Sequence, residues 1–81
     1  MLHPTPANAI YVEVILPLAL PQLYTYFVPE EWAQKVQFGV RVEVQFGKNK
    51  IYSAVVVNVL QGGNEHTKKS KPILAVLDDA P

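Results

Sequence analysis

Between Val40 and Phe46 apolar and polar residues alternate without a break: Val40, Val42, Val44 and Phe46 on one side, Arg41, Glu43 and Gln45 on the other. Successive side chains of an extended chain point to opposite faces, so this pattern predicts a strand with one buried and one wetted face. Gly47 to Asn49 makes a tight connection, and Ile51 to Leu60 then runs almost wholly apolar. Two strands joined by so short a link form an antiparallel hairpin. The second arm reads as apolar on both faces, with Ile51, Val55, Val57 and Val59 on one and Tyr52, Ala54, Val56 and Leu60 on the other. Such a strand wants cover on both sides. The expectation is self-association of the isolated chain through Tyr52, Val56 and Leu60.

Three further strands fit around the hairpin. Ala9 to Leu16 alternates, with Ile10, Val12, Val14 and Leu16 on one face, before Pro17 ends any ladder. Leu23 to Val28 places Tyr24, Tyr26 and Val28 on one face and Thr25 opposite, and Pro29 stops it. Glu30 to Gln34 has two acids behind a proline, a pattern for one or two helical turns. Ile73 to Leu77 completes the set as a fifth strand. Five short strands and at most one helical turn predict an all-β fold, a small five-stranded, partly closed β-barrel of the OB or SH3-like kind. The barrel is expected over residues 9–78, with an extended arm at 1–8 and the start of a linker at 79–81.

With 81 residues the chain holds one domain, and 49% apolar content is enough for a thin core. There is no cysteine, which removes disulfides, thiolate metal sites and cysteine nucleophiles, and suits a reducing cytoplasm. No apolar run is long enough to span a bilayer as a helix, so no membrane partner is expected. His3 and His66 lack companions at metal-ligand spacing. Gly62–Gly63 is not followed by the lysine and hydroxyl residue of a phosphate loop. Ser53 and Ser70 have no partnered histidine, and Glu30–Glu31 and Asp78–Asp79 read as a helix start and a strand end. An enzyme is the poorest reading. The net charge is zero, yet all seven basic residues lie between Lys35 and Lys71 against two acids, Glu43 and Glu65, a local balance of +5. A basic centre is weak evidence for a polyanionic partner, and charge alone is better read as a solvated surface.

Three segments carry a more specific signal. They are Leu23-Tyr24-Thr25-Tyr26-Phe27-Val28-Pro29, then Gly39-Val40-Arg41-Val42-Glu43-Val44-Gln45-Phe46-Gly47-Lys48, then Lys71-Pro72-Ile73-Leu74-Ala75-Val76-Leu77-Asp78. In this order and spacing they resemble the N-terminal domain of the PriA family, bacterial replication-restart helicases. The resemblance covers Ile10 to Pro81. It implies a domain that binds the 3′ end of the nascent leading strand at a stalled fork, in a pocket that carries over to Tyr24, Thr25, Tyr26, Gly47 and Lys71. Lys48 is a possible further phosphate contact. It also implies a bacterial, cytoplasmic, nucleoid-associated parent helicase whose other domains would be partners. The parent family uses ATP, magnesium and zinc; no cofactor is expected in this chain.

The residue types suit that task. A base of any identity can stack on an aromatic ring, for about 1–3 kcal/mol per base. Glycine leaves the backbone open to a sugar or phosphate, and a lysine neutralises a terminal phosphate. Thr25 stands where many relatives carry an acid, and Gln45 where they carry proline; the first softens a hydrogen bond, and the second reads as neutral. Two other readings fit the residues. One is a structural or protein-interaction barrel with no nucleic-acid role. The other is a general RNA- or DNA-binding barrel with no preference for ends.

Overall fold

The hairpin expected from the alternation is present in the computed structural model of the chain, which describes residues 9–19, 22–62 and 70–78. Strand β3 (Arg41–Phe46) pairs antiparallel with β4 (Lys50–Gln61), with Val42 opposite Ala54 and Val44 opposite Tyr52. The far half of β4 pairs with β1 (Ile10–Ile15), which pairs in turn with β2 (Leu23–Val28). The sheet order is β2-β1-β4-β3-β5, every pairing antiparallel. Two main-chain hydrogen bonds then join the sheet's ends: Phe27 N–H donates to Lys71 O and Ile73 N–H donates to Phe27 O, both at 2.8 Å. The result is the partly closed, five-stranded barrel. Expectations concerning residues 1–8, His66, Lys68, Lys69 and 79–81 lie outside the described residues.

The interior follows from the alternation. Val12, Val14, Val40, Val42, Val44, Val56 and Ala54 are fully buried, and Tyr26, Val28 and Ile73 are nearly so. β-Branched valines fit a pleated sheet with little rotamer freedom to lose. A barrel this narrow takes valine or alanine at its centre, and the larger rings of Tyr24, Phe46 and Tyr52 sit partly buried at its margin.

Several expectations are corrected. β4 does not keep one alternation from end to end. Its register against β1 shifts between Glu13 and Val14: Asn58 faces Glu13 and Val56 faces Val14, so Val57 is the extra residue of a bulge. A bulge reverses the side on which later residues fall. Leu60 pairs with Tyr11 on the outer side, whereas Val56 is completely buried. Tyr52, Val56 and Leu60 therefore form no common surface for self-association. The exposed apolar residues of β4 are Ile51, Val55 and Val59. The last strand is also shorter than expected. Only Ala75–Val76 (β5) pairs with β3, because Lys71–Ile73 is engaged with Phe27 instead. The segment after Pro29 keeps to the expected limit of one short turn, a 3-10 turn at Glu30–Trp32, with Trp32 N–H bonded to Pro29 O at 2.9 Å.

Arg41 is more than a surface residue. Its Nη2 lies 2.8 Å from Asp78 Oδ1, and its main-chain N–H donates to Asp78 Oδ2 at 2.9 Å. Leu77 N–H donates to Arg41 O at 2.9 Å, so the chain's last described residues are tied to the start of β3. The hydrogen bonds and charge of Arg41 hold the Asp78 carboxyl below the ordinary carboxylate value.

Two outcomes are expected. Val44→Ala removes two buried methyl groups and should cost about 2–3 kcal/mol, while Val55→Ala on the exposed side should cost less than about 1 kcal/mol; urea midpoints at unchanged slope measure both. A carboxyl whose folded pKa is lowered contributes stability above its unfolded value and loses it as pH falls through the folded one. Asp78→Asn should therefore melt below the parent chain at neutral pH, with the gap closing below pH 3.8 and narrowing in high salt.

Candidate functional site

The barrel's seam is fastened at Phe27 and open beyond it. From Phe27 toward the start of β2, residues 24–26 line one lip of the opening, and the end of β3 with the following turn lines the other. The opening is a cleft of about 350 Å³, lined by Tyr24, Thr25, Tyr26, Gln45, Phe46, Gly47, Ser70 and Lys71. All five residues carried over from the family resemblance, Tyr24, Thr25, Tyr26, Gly47 and Lys71, are thus brought together. Lys48 sits in the adjoining turn and is outside the lining.

Each wall has a physical cause. Tyr24 is half-buried, and its ring meets Phe46 edge-on at 5.0 Å between centroids and 75° between planes. Phe46 is braced from its other side by Tyr52 at 6.3 Å. Edge-to-face packing of this kind fixes a ring's attitude and leaves part of its surface available. Tyr26 is almost entirely buried, so it forms the floor, and its hydroxyl donates to Gln45 O at 2.9 Å across the seam. Burial, reinforced by Tyr24, pushes the Tyr26 pKa above 10.0 and keeps that hydroxyl a donor.

Gly47 has φ +73°, a left-handed conformation that side chains other than glycine adopt with strain. A Cβ built there meets nothing within 4 Å, so the residue is required for backbone angle and leaves open space beside the cleft. Lys71 Nζ donates to Gly47 O at 3.1 Å, which holds the ammonium at the mouth. Gln45 Nε2 donates to Gly47 O at 3.3 Å and to Lys48 O at 2.9 Å, closing the turn.

Gln45, Phe46 and Ser70 are the lining residues that sequence reasoning missed. Phe46 reads as core because it continues the valine alternation, and Gln45 as a neutral replacement. The signal available for Gln45 was its place two residues before a glycine turn. A second cleft, about 540 Å³, opens where β1 begins and β2 ends; its lining includes Glu30 and no basic residue. It is the poorer host for an anion. Among the described residues no group of acids and histidines could hold a metal ion, and no helix is long and apolar enough to cross a membrane.

The fold is a small, partly closed β-barrel, and the first cleft, on its open seam, is the candidate ligand surface. The chain belongs to the PriA 3′DNA-binding-domain family: the family described as "3'DNA-binding domain (3'BD)" matches residues 13–81. One relative is the replication restart protein PriA of Haemophilus influenzae, 40% identical over 70 residues. The aligned part is 86% of this chain and 9% of that protein.

The glycine's requirement for backbone angle makes a separable expectation. Gly47→Ala should lose about 1–2 kcal/mol of stability from left-handed strain, and Gly47→Asn, which tolerates that conformation better, should lose less. Thermal melts of the two variants beside the parent chain measure the difference. Equal losses would count against backbone angle as the reason for glycine.

Proposed function

We propose that this domain binds the free 3′ end of a DNA strand in the cleft between β2 and the β3–β4 turn, independently of sequence. The carrying observation is that one cleft collects Tyr24, Thr25, Tyr26, Gly47 and Lys71 in a member of this family. Tyr24 is the stacking surface for the terminal base. Tyr26 supports the floor and orients Gln45. Lys71 neutralises the terminal phosphodiester, and Lys48, in the exposed turn beside it, reaches the next one. Gly47 allows close approach of the sugar. An added 3′-phosphate would be forced against the closed part of the seam without a partner, at the cost of its hydration.

In this reading the chain is the end-sensing domain of a larger replication-restart helicase, and its physiological ligand is the nascent leading strand at a stalled fork. Helicase chemistry with ATP, magnesium and zinc, other domains of that protein as partners, and a cytoplasmic, nucleoid-associated setting belong to the same proposal. A protein-interaction barrel is the second reading. It is favoured by an apolar row on the outer side, where Leu23, Ile15 and Val55 pair across three strands and all are exposed.

Fluorescence anisotropy with short labelled single strands distinguishes these readings. End recognition predicts tighter binding of a 3′-hydroxyl than of a 3′-phosphate end. Two neutralised phosphates predict a log–log salt slope of about −1.4. Tyr24→Ala should weaken binding by about 1–3 kcal/mol, the worth of one stacked base. Equal affinity for the two ends overturns the end-binding claim, and salt-independent or absent binding favours the protein-interaction reading.

A further inference from the structure

We propose that Gln45 is a specificity-determining residue of the cleft, its side-chain oxygen Oε1 accepting a hydrogen bond from the 3′-hydroxyl of the terminal nucleotide. The inference rests on reading the cleft as a DNA-end site. A strand's 3′ terminus differs from an internal sugar by a hydroxyl that can donate. To sense it, the cleft needs an acceptor held in place, because an acceptor that must first be ordered returns part of the gain as entropy.

The polar groups around the cleft narrow the choice. Gly47 O already accepts from both Lys71 Nζ and Gln45 Nε2, which occupies its two lone pairs. Gln45 O accepts from the Tyr26 hydroxyl. The hydroxyls of Thr25 and Ser70 rotate freely and donate as readily as they accept. Lys71 only donates. No carboxylate lines the cleft, since threonine stands between the two tyrosines.

Gln45 differs from all of these. Its Nε2 spans two carbonyls, Gly47 O and Lys48 O, and so uses both amide hydrogens. The opposite amide orientation would set Oε1 against two carbonyl oxygens, so the network fixes which end is which. Oε1 is thereby held by the same two bonds that close the turn, and it accepts no hydrogen bond among the described residues. As a neutral acceptor it attracts a hydroxyl without the charge repulsion a carboxylate would exert on the neighbouring phosphodiester. It has nothing to offer a 3′-deoxy end.

The test uses the full chain and single strands ending in a 3′-hydroxyl or a 3′-deoxy sugar, read by anisotropy. The parent chain should favour the hydroxyl end by about threefold to tenfold, the worth of one neutral hydrogen bond. Gln45→Met removes the acceptor together with the two turn bonds, and should bring that ratio to about one whatever the change in affinity common to both ends. A 3′-deoxy-3′-fluoro end, which cannot donate, should bind the parent chain no better than the deoxy end. A purely structural role would weaken both ends equally in Gln45→Met and leave the ratio unchanged, which overturns the proposal. A ratio of one in the parent chain also overturns it, even with 3′-hydroxyl ends preferred over 3′-phosphate ends. Loss of that last preference brings down the end-binding reading itself. If Gln45→Met does not fold, the fluoro end decides: binding no better than the deoxy end supports the acceptor role, and binding as tight as the hydroxyl end rejects it.

Discussion

Closure at Phe27 is the contact on which the rest of the molecule depends. A sheet of five strands in the order β2-β1-β4-β3-β5 would leave β2 as a bare edge. The paired main-chain bonds from Phe27 to Lys71 and Ile73 cover that edge at one point. They carry Ile73 into the core, where it is nearly inaccessible, and place Lys71 beside the uncovered half of β2. The same bonds explain why the last strand is short: the chain serves β2 through Lys71–Ile73 before it reaches β3. An incomplete closure thus makes the cleft, since the strand edge that stays open is the one that carries Tyr24 to Tyr26.

Above the closure, side-chain contacts hold the two lips together. The Tyr26 hydroxyl reaches Gln45 O; the Gln45 amide holds the turn; Gly47 O receives Lys71. Each bond contributes only about 1 kcal/mol to stability. Their joint effect is geometric, because every member except Lys71 is anchored in a strand or in the turn directly after it. The run of edge-on and tilted rings from Tyr52 through Phe46 to Tyr24 supports the cleft wall at the barrel's margin.

Much of this was legible in the residues. The unbroken alternation of Val40–Phe46 and the prolines around Leu23–Val28 locate two strands, with β2 found at its exact limits. The β4 bulge was not legible, because an almost wholly apolar strand gives no sign of where its faces exchange. A polar residue marks the place only in retrospect: Asn58, whose Nδ2 donates to Glu13 Oε1 at 2.8 Å. For the cleft, family likeness supplied a set of residues that the fold then brings together, although nothing in their spacing requires it. Gln45 reads as neutral in the sequence because its contacts are bonds to main-chain carbonyls of a turn, which alternation and spacing do not reveal.

The distribution of charge gives the neutral chain a direction. Arg41 is occupied by Asp78 at the start of β3. Lys48, Lys50 and Lys71 cluster at that strand's other end: Lys50 pairs with Phe46, and Lys71 bonds to Gly47. Six residues of strand separate the two ends by roughly 20 Å, beyond the screening length of about 8 Å at physiological salt. The carboxylate at Asp78 therefore does little to cancel the field at the cleft mouth, and Glu30 and Glu31 follow the far end of β2. A zero net charge is compatible with a local attraction for an anion at this one opening. With so few cations that attraction is modest, so affinity for the proposed ligand has to come mainly from the ring of Tyr24 and the fixed polar groups around it. Those contacts are short-ranged and act only on a group that enters the seam, whereas the lysines at the mouth also act on an anion lying across it.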